Sequence, residues 1–163
     1  MKKHHFHQGH PLEVIWSEAA ATPFVGLWCH ACNRYLEIRE YPTQSLVFYV
    51  ASPLSAATPE AVQANMAAAE RYEAEVGKLM AADFPGEQVY AYAPHTSLPN
   101  ELDDSDPASR EAAMAFDFEV LRHCSGLVIC GPVISAGMQQ EIEFAKENEI
   151  PLYRFDGGQI EFM

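Results

Sequence analysis

The sequence is poor in basic residues and in cysteine, and it has no long apolar run. It carries 10 Lys and Arg against 23 Asp and Glu, for a formal net charge of −13. Because most of such a surface repels a polyanion, we expect no nucleic-acid polymer and no membrane as partner. Four cysteines do not suggest a disulfide scaffold. No apolar stretch approaches the roughly 20 residues that a bilayer-spanning helix needs.

Signals for export are also missing. Residues 1–10 are basic and rich in histidine, but no signal-type apolar segment follows them. Hydrophobic residues make up 48% of the chain, which is enough for a core without disulfide support. We therefore expect a cytoplasmic protein whose fold depends on apolar packing.

From residue 46 onward, apolar runs of strand length alternate with segments of helix length. Strands are predicted at 46–51, 88–93, 126–130 and 151–155, and helices at about 58–82, 108–124 and 138–148. Such alternation predicts parallel βαβ units with right-handed crossovers. The predicted fold class is α/β, with a doubly wound parallel sheet of the Rossmann or flavodoxin-like type.

The first predicted helix has clear local signals. Thr58 is its N-cap and Pro59 its first residue. Apolar residues at steps of three, four and seven predict one face packed on a sheet; they are Val62, Met66, Ala69, Val76 and Met80.

The first 45 residues follow another pattern. A strand is predicted at 12–16 and a hairpin from 24–28 and 34–38, with the seam at Pro42 and Thr43. We therefore predict a β-hairpin extension over 1–45 and an α/β domain over 46–163.

Two acidic residues lie on the inward faces of predicted helices. Asp117 lies within the apolar stripe of the second helix, and Glu141 lies between Met138 and Ala145 on the third. With that helix beginning near Met138, Glu141 falls in its first turn, where the macrodipole favours the ionised carboxylate. Glu141 is then a candidate nucleophile, and Asp117 a candidate for orienting a ligand or exchanging a proton. The alternative is purely structural: a dipole complement and an ordinary cap or salt bridge.

The carboxyl ends of parallel strands are where open α/β sheets bind ligands. Segments 51–55, 94–97 and 131–137 are predicted to meet at that edge. In the last of them, Ser135 and Gly137 precede a helix start whose backbone N–H groups can hold a phosphate or a sugar hydroxyl. Ser and Gly at such a position are also simple capping residues.

The string Ser-Ala-Gly-Met-Gln-Gln-Glu at 135–141, after the strand at 127–130, resembles the closing βαβ unit of the nucleoside 2-deoxyribosyltransferase-like superfamily. That superfamily includes nucleoside deoxyribosyltransferases and nucleoside 5′-monophosphate N-glycosidases. The resemblance covers about 46–155. It is closest to an uncharacterised, often phage-associated branch with Ser-Pro after strand one, Ala-Pro-His after strand two and a Leu-Asp-Asp-x-Asp-Pro loop, here at 52–53, 93–95 and 102–107.

The resemblance implies cleavage or transfer at the N-glycosidic bond of a nucleoside or its 5′-monophosphate, with Glu141 as the nucleophile and Asp117 positioning the sugar and the departing base. It also implies a homo-oligomer and no cofactor required for catalysis. A rival interpretation is a nucleotide-binding sensor without turnover, whose N-terminal element binds a partner protein. The residues expected to bind substrate are Tyr49, Ser52, His95, Ser135, Gly137 and Met138.

A second group of candidate ligands lies in the extension. His7 and His10, with Cys29 and Cys32, can supply four tetrahedral ligands for a structural zinc ion. His4 and His5 offer competing choices. The alternative is a frayed His-rich terminus and two thiols that bind no metal.

Overall fold

The computed structural model describes residues 12–42, 45–94 and 106–163. The described residues form two compact units. The N-terminal unit draws on Met1–Thr43 and Leu98–Val120, and the α/β unit on Gln44–Ser97 and Leu121–Met163. Within the described ranges, no helix combines the length and the apolar character that crossing a membrane requires.

The N-terminal unit contains a three-stranded antiparallel sheet in the order β1-β2-β3. Its strands are β1 (Leu12–Ser17), β2 (Phe24–Cys29) and β3 (Arg34–Glu40), so the predicted strand and hairpin are confirmed. Tyr35 packs over Gly26, where a Cβ would lie 2.5 Å from the ring carbon Cε1. The buried apolar residues of the sheet and its end are Val25, Leu27, Cys29 and Tyr41.

A helix, α2 (Pro107–Arg122), contributes most of its length to the same unit. The Tyr41 hydroxyl donates a hydrogen bond to the carbonyl oxygen of Val120 at 2.8 Å. Asp106 begins the helix, because its carboxylate accepts from the backbone N–H of Ser109 at 3.1 Å.

The α/β unit has a five-stranded sheet in the order β5-β4-β6-β7-β8, in which β8 alone is antiparallel to its neighbour. All the predicted strands and helices of this region are present, with ends shifted by a few residues. β8 is an addition: Gly157 and Gly158, both with positive φ, make the two-residue turn that pairs it with β7. The elements are β4 (Ser45–Ala51), α1 (Pro59–Asp83), β5 (Gln88–Tyr92), β6 (Gly126–Ile129), α3 (Ala136–Glu147), β7 (Leu152–Asp156) and β8 (Gln159–Phe162).

Helices cover both faces of this sheet. Phe48 and Val50 of β4 join a buried cluster with α1, whereas the side chain of Tyr49 between them reaches α3. Since successive side chains of a strand point to opposite faces, α1 and α3 lie on opposite sides. Parallel strands buried in this way read as continuous apolar runs, which is the pattern of β4.

The N-terminal signals of α1 are confirmed, but its apolar stripe is shorter than predicted. The backbone N–H of Ala61 donates to Thr58 Oγ1 at 3.2 Å, with Pro59 at the helix start. Ala69, Val76 and Met80 are buried, whereas Met66 is 41% exposed. A 25-residue helix is about 38 Å long and a seven-residue strand about 23 Å. The helix therefore extends beyond the sheet, and its N-terminal turns are the exposed ones.

Candidate functional site

Two of the three segments predicted to meet at the carboxyl edge of the sheet do so. The backbone N–H of Cys130, directly after β6, donates to the carbonyl oxygen of Ala51 at 2.9 Å. Gly131 follows with φ of +88°, and a Cβ there would lie 3.1 Å from Cδ of Pro53. The turns after β4 and β6 are therefore in contact, and Gly131 allows their close approach. His95, from the third segment, lies outside the described residues.

Glu141 is a buried acid held by a tyrosine. It is 6% exposed, and its Oε1 accepts a hydrogen bond from the Tyr49 hydroxyl at 2.7 Å. Met138, Ile142 and Ala145 of α3 are buried with it, which confirms the predicted inward face. The structure thus brings together two of the predicted site residues from sequence positions 92 residues apart.

The predicted position of Glu141 within its helix is wrong. α3 begins at Ala136 with Ser135 as N-cap, so Glu141 lies in the second turn, beyond the first turn in which the macrodipole acts strongly. Burial dominates instead and raises the pKa of Glu141 to about 7, while the hydrogen bond from Tyr49 lowers it. At neutral pH the carboxyl is therefore divided between its protonated and ionised forms.

Tyr49 is itself packed against a second tyrosine. Its ring centroid lies 5.7 Å from that of Tyr92 in an edge-on arrangement, and both side chains are fully buried. The parallel pairing of β4 with β5 places the two residues side by side. Tyr92 was not among the predicted site residues, although its position at the carboxyl end of β5 is the signal that could have found it.

In the turn before α3, Ser135 caps the helix and Gly137 has few neighbouring atoms. Ser135 Oγ accepts from the backbone N–H of Met138 at 3.3 Å, so the capping interpretation of Ser135 is confirmed. Among the described residues, a Cβ on Gly137 would meet only Ser135 Oγ, at 4.0 Å. Met138 and Ser52 are 2% and 1% exposed. Of these predicted substrate-binding residues, Gly137 therefore has the most room beside it.

Arg154 is a second residue that sequence reasoning missed. Its Nη2 donates to the carbonyl oxygen of Gly131 at 2.6 Å, because the parallel register aligns it with Ile129 of β6. The guanidinium therefore fixes the start of the turn that leads to Ser135. The sequence signal that could have found Arg154 is its charge, because it lies inside the strand Leu152–Asp156 and not at its end.

Asp117 has the inward position predicted for it. It is 7% exposed on α2, beside buried Phe116. It belongs to the N-terminal unit, whereas Glu141 belongs to the α/β unit. The role assigned to Asp117 by the resemblance stays a prediction.

Residues 46–155 match the family described as a domain of unknown function (DUF7768). The chain belongs to this family. The DUF7768 domain includes Tyr49, Asp117, Ser135 and Glu141, and it excludes the N-terminal sheet. The chain matches no curated protein and no solved structure. The family description assigns no activity, so function is argued from the site.

The candidate zinc ligands lie outside the DUF7768 domain. Cys29 is buried and Cys32 half-buried, and neither forms a disulfide. His7 and His10 lie outside the described residues. Within the described ranges, no group of three or more His, Cys, Asp or Glu residues is placed to hold a metal ion.

Proposed function

We propose that the DUF7768 domain of this chain cleaves or transfers at the N-glycosidic bond of a nucleoside or a nucleoside 5′-monophosphate, with Glu141 as the nucleophile. The observation that carries this proposal is the environment of Glu141. In the part of the chain that the structure describes, Tyr49 is the single hydrogen-bond donor to its carboxyl and no Lys or Arg pairs with it. A buried acid without a cation is costly for stability, and such groups concentrate at functional sites.

The strand order supports a ligand site beside this acid. We infer that the sheet is doubly wound in the flavodoxin-like manner, since β4, the first strand of the unit, lies between β5 and β6. The direction of winding reverses there, and ligands in such sheets bind at that point beyond the carboxyl ends of the strands. The turn containing Pro53 and the turn containing Gly131 adjoin at this point.

The proposed reaction has two steps. In the first, an ionised oxygen of Glu141 forms a bond to the anomeric carbon while the carbon–nitrogen bond breaks, and its electron pair leaves with the base, which takes up a proton. In the second, water or the nitrogen of another base attacks the anomeric carbon and loses a proton to solvent, while the bond from that carbon to Glu141 breaks and its electron pair restores the carboxylate. The Tyr49 hydroxyl holds Oε1 and so leaves Oε2 as the attacking atom. Ser135 and the backbone at Gly137 would bind the 5′ end of the sugar.

Base release from a panel of ribo- and 2′-deoxyribonucleosides and their 5′-monophosphates tests this proposal. We expect the full-length chain to release free base, detected by chromatography, and Glu141→Gln to release none. Glu147→Gln is the matched control, because Glu147 is an exposed acid on the same helix, and it should keep full activity. Asp117→Asn tests separately the role that the resemblance assigns to Asp117. Turnover that persists in Glu141→Gln would reject the mechanism.

The burial of Glu141 also favours a second candidate, a nucleotide-binding module without turnover. A carboxyl that is 6% exposed and has a pKa of about 7 is largely shielded and partly protonated at neutral pH. A protonated acid donates a hydrogen bond to a ligand but does not attack carbon. Calorimetry that finds equally tight binding by the wild-type chain and Glu141→Gln, with no base released by either, would favour this candidate.

A further inference from the structure

Arg154 differs from the other basic residues of the α/β unit. Among the described residues of this unit, the other Lys and Arg residues are exposed, whereas Arg154 is half-buried. Its Nη2 donates to the carbonyl oxygen of Gly131, and no acidic side chain in the described ranges forms an ion pair with it. A shielded cation without an acid is costly, because it has given up part of its hydration. Such a cation suits an anionic ligand that is not part of the chain.

The acid that faces Arg154 across the sheet has another partner. Glu161 of β8 pairs with Arg154 in the antiparallel register, but its Oε1 accepts a hydrogen bond from Gln159 Nε2 at 3.3 Å. Glu161 is also exposed, so an ion pair with it would be weak. The contact of Arg154 with Gly131 uses one N–H of Nη2, and the guanidinium has further N–H groups on Nε and Nη1. In the part of the chain that the structure describes, no protein acceptor takes those donors.

The guanidinium of Arg154 lies at the carboxyl edge of the sheet, on the face that carries Glu141. Phe155 belongs to the buried cluster with α1, so Arg154, the residue before it, points to the opposite face, which α3 covers. Arg154 aligns with Ile129, the last residue of β6. Its guanidinium reaches Gly131, beyond the end of that strand. An anion bound there would lie on the same side of the sheet as the proposed nucleophile.

The turn that begins at Gly131 leads from Arg154 to the proposed sugar site. It ends at Ser135, the N-cap of α3, where the 5′ end of the sugar is proposed to bind. Residues 132–134 alone separate the carbonyl that Arg154 contacts from this N-cap. The phosphate of a nucleoside 5′-monophosphate is the anionic group at that end of the sugar.

The charge of the chain makes a local cation important for binding a phosphate. A formal net charge of −13 repels a phosphate from most of the surface, and an ionised Glu141 adds a negative charge on the same face of the sheet. Arginine can offset both, because its planar guanidinium stays charged at physiological pH and donates two parallel hydrogen bonds to a phosphate. With one nitrogen on a backbone carbonyl and the others on phosphate, Arg154 would join the ligand to the turn.

We propose that Arg154 binds the 5′-phosphate of the substrate and so selects nucleoside 5′-monophosphates over nucleosides. The choice of ligand rests on the proposed function, but the role of Arg154 concerns binding and requires no bond to be cleaved. Arg154 contacts the phosphate, whereas Glu141 acts at the anomeric carbon. Because a nucleoside has no phosphate for Arg154 to bind, the preference for the monophosphate measures the contribution of this residue directly.

Calorimetric titration of the full-length chain tests this assignment without requiring turnover. The ligands are AMP, GMP, CMP and UMP, the 2′-deoxy monophosphates, and the matching nucleosides. We expect wild type to bind at least one monophosphate about tenfold to hundredfold more tightly than its nucleoside. In Arg154→Gln, this ratio of affinities should fall by a similar factor. Lys146→Gln is the matched control, because Lys146 is an exposed cation on α3 of the same unit, and it should keep the wild-type ratio.

The ratio separates phosphate binding from mere support of the turn. Loss of the hydrogen bond to Gly131 alone would weaken the binding of monophosphate and nucleoside equally, because both use the sugar site, and the ratio would not change. That result overturns the proposal, as does a wild-type chain that binds nucleosides as tightly as monophosphates or binds neither. If Arg154→Gln fails to fold, Arg154→Lys takes its place: it keeps the charge but not the paired hydrogen bonds, so its ratio should fall by part of that factor.

The same titrations distinguish this proposal from the N-glycosidic one. If monophosphates bind through Arg154 but no base is released from them, the proposed cleavage fails and the role of Arg154 stands. If base is released from nucleosides and monophosphates with equal efficiency, and the affinity ratio is the same in wild type and Arg154→Gln, the cleavage stands and the role of Arg154 fails.

Discussion

The two units of this chain differ in the kind of titratable group that each one buries. The α/β unit buries the carboxyl of Glu141, which accepts a hydrogen bond from the Tyr49 hydroxyl, whereas the N-terminal sheet buries the thiol of Cys29 at the end of β2. The first arrangement requires a large apolar core, because only such a core can absorb the cost of a buried acid. A buried thiol carries no such cost, because a free cysteine behaves as a small apolar residue, and it therefore suits the smaller core of the N-terminal sheet. Glu141 is therefore a group whose ionisation costs its unit stability.

The largest expected effect concerns the free energy of unfolding that the chain loses when the buried carboxyl of Glu141 ionises. Its pKa is raised from the ordinary 4.5 to about 7 in the folded chain, so the folded state holds this proton more tightly than the unfolded state. The resulting stabilisation is complete below pH 4.5 and is lost as pH rises to about 7. Its full size is about 3 kcal/mol. The free energy of unfolding of wild type minus that of Glu141→Gln should therefore fall by about this amount across that window.

Urea denaturation at a series of pH values measures that difference, with Glu147→Gln giving a flat control curve. Above pH 7, Glu141→Gln should be the more stable protein. If the difference in free energy of unfolding between wild type and Glu141→Gln does not vary with pH, ionisation of Glu141 does not destabilise the folded chain. The two units would then not differ in the cost of the group that each one buries.

A tyrosine ring packed over a glycine occurs in both units and compares their packing directly. A Cβ on Gly126 would lie 2.7 Å from Cε2 of Tyr153 and 3.2 Å from Phe48, which is fully buried. On Gly26 it would meet Tyr35, which is half-buried, as are the two rings that Tyr35 contacts edge-on, Phe24 and Trp28. We expect Gly126→Ala to cost about 2 kcal/mol and Gly26→Ala about 1 kcal/mol.

Far-ultraviolet circular dichroism follows the helices in these experiments, chiefly α1 and α3 of the α/β unit, and tryptophan fluorescence follows the N-terminal sheet, which holds Trp16 and Trp28. Gly77→Ala is the control, because a Cβ there is 3.6 Å from Cβ of Ala91, an ordinary contact. Alanine in the interior of α1 should stabilise the chain by about 0.5–1 kcal/mol. Equal costs at Gly26 and Gly126 would show that the two units are equally rigid.

The sequence predicts the elements of this fold better than it predicts the state of its site. Periodicity identifies the inward face of α3, because Met138, Glu141 and Ala145 share it whichever residue begins the helix. The predicted start near Met138 lies two residues after the observed start at Ala136, since Ala136 and Gly137 are small and resemble a continuation of the turn. The sequence predicts an ionised carboxylate at Glu141. Because the residue lies beyond the first turn and is buried, its pKa is raised instead.

Other features of the site depend on strands that meet only after folding. The contacts of Tyr49 with Tyr92 and of Arg154 with Gly131 follow from the register of neighbouring parallel strands. No local pattern specifies that register. The hairpin of β7 and β8 is different, because Asp156 with the two glycines after it is a local signal for a tight turn.

The smallest expected effect tests whether Tyr49 tunes Glu141 or only packs beside it. Tyr49→Phe keeps the buried ring and removes the hydrogen bond that favours the ionised carboxylate. The pKa of Glu141 should then rise further, so the pH at which kcat/KM reaches half its maximum should move upward. Tyr92→Phe keeps the neighbouring ring and leaves that hydrogen bond intact, so its pH profile should match wild type. If Tyr49→Phe lowers stability by about 1 kcal/mol but leaves the pH profile in place, Tyr49 serves packing alone, and the α/β unit tolerates its buried acid without adjusting it.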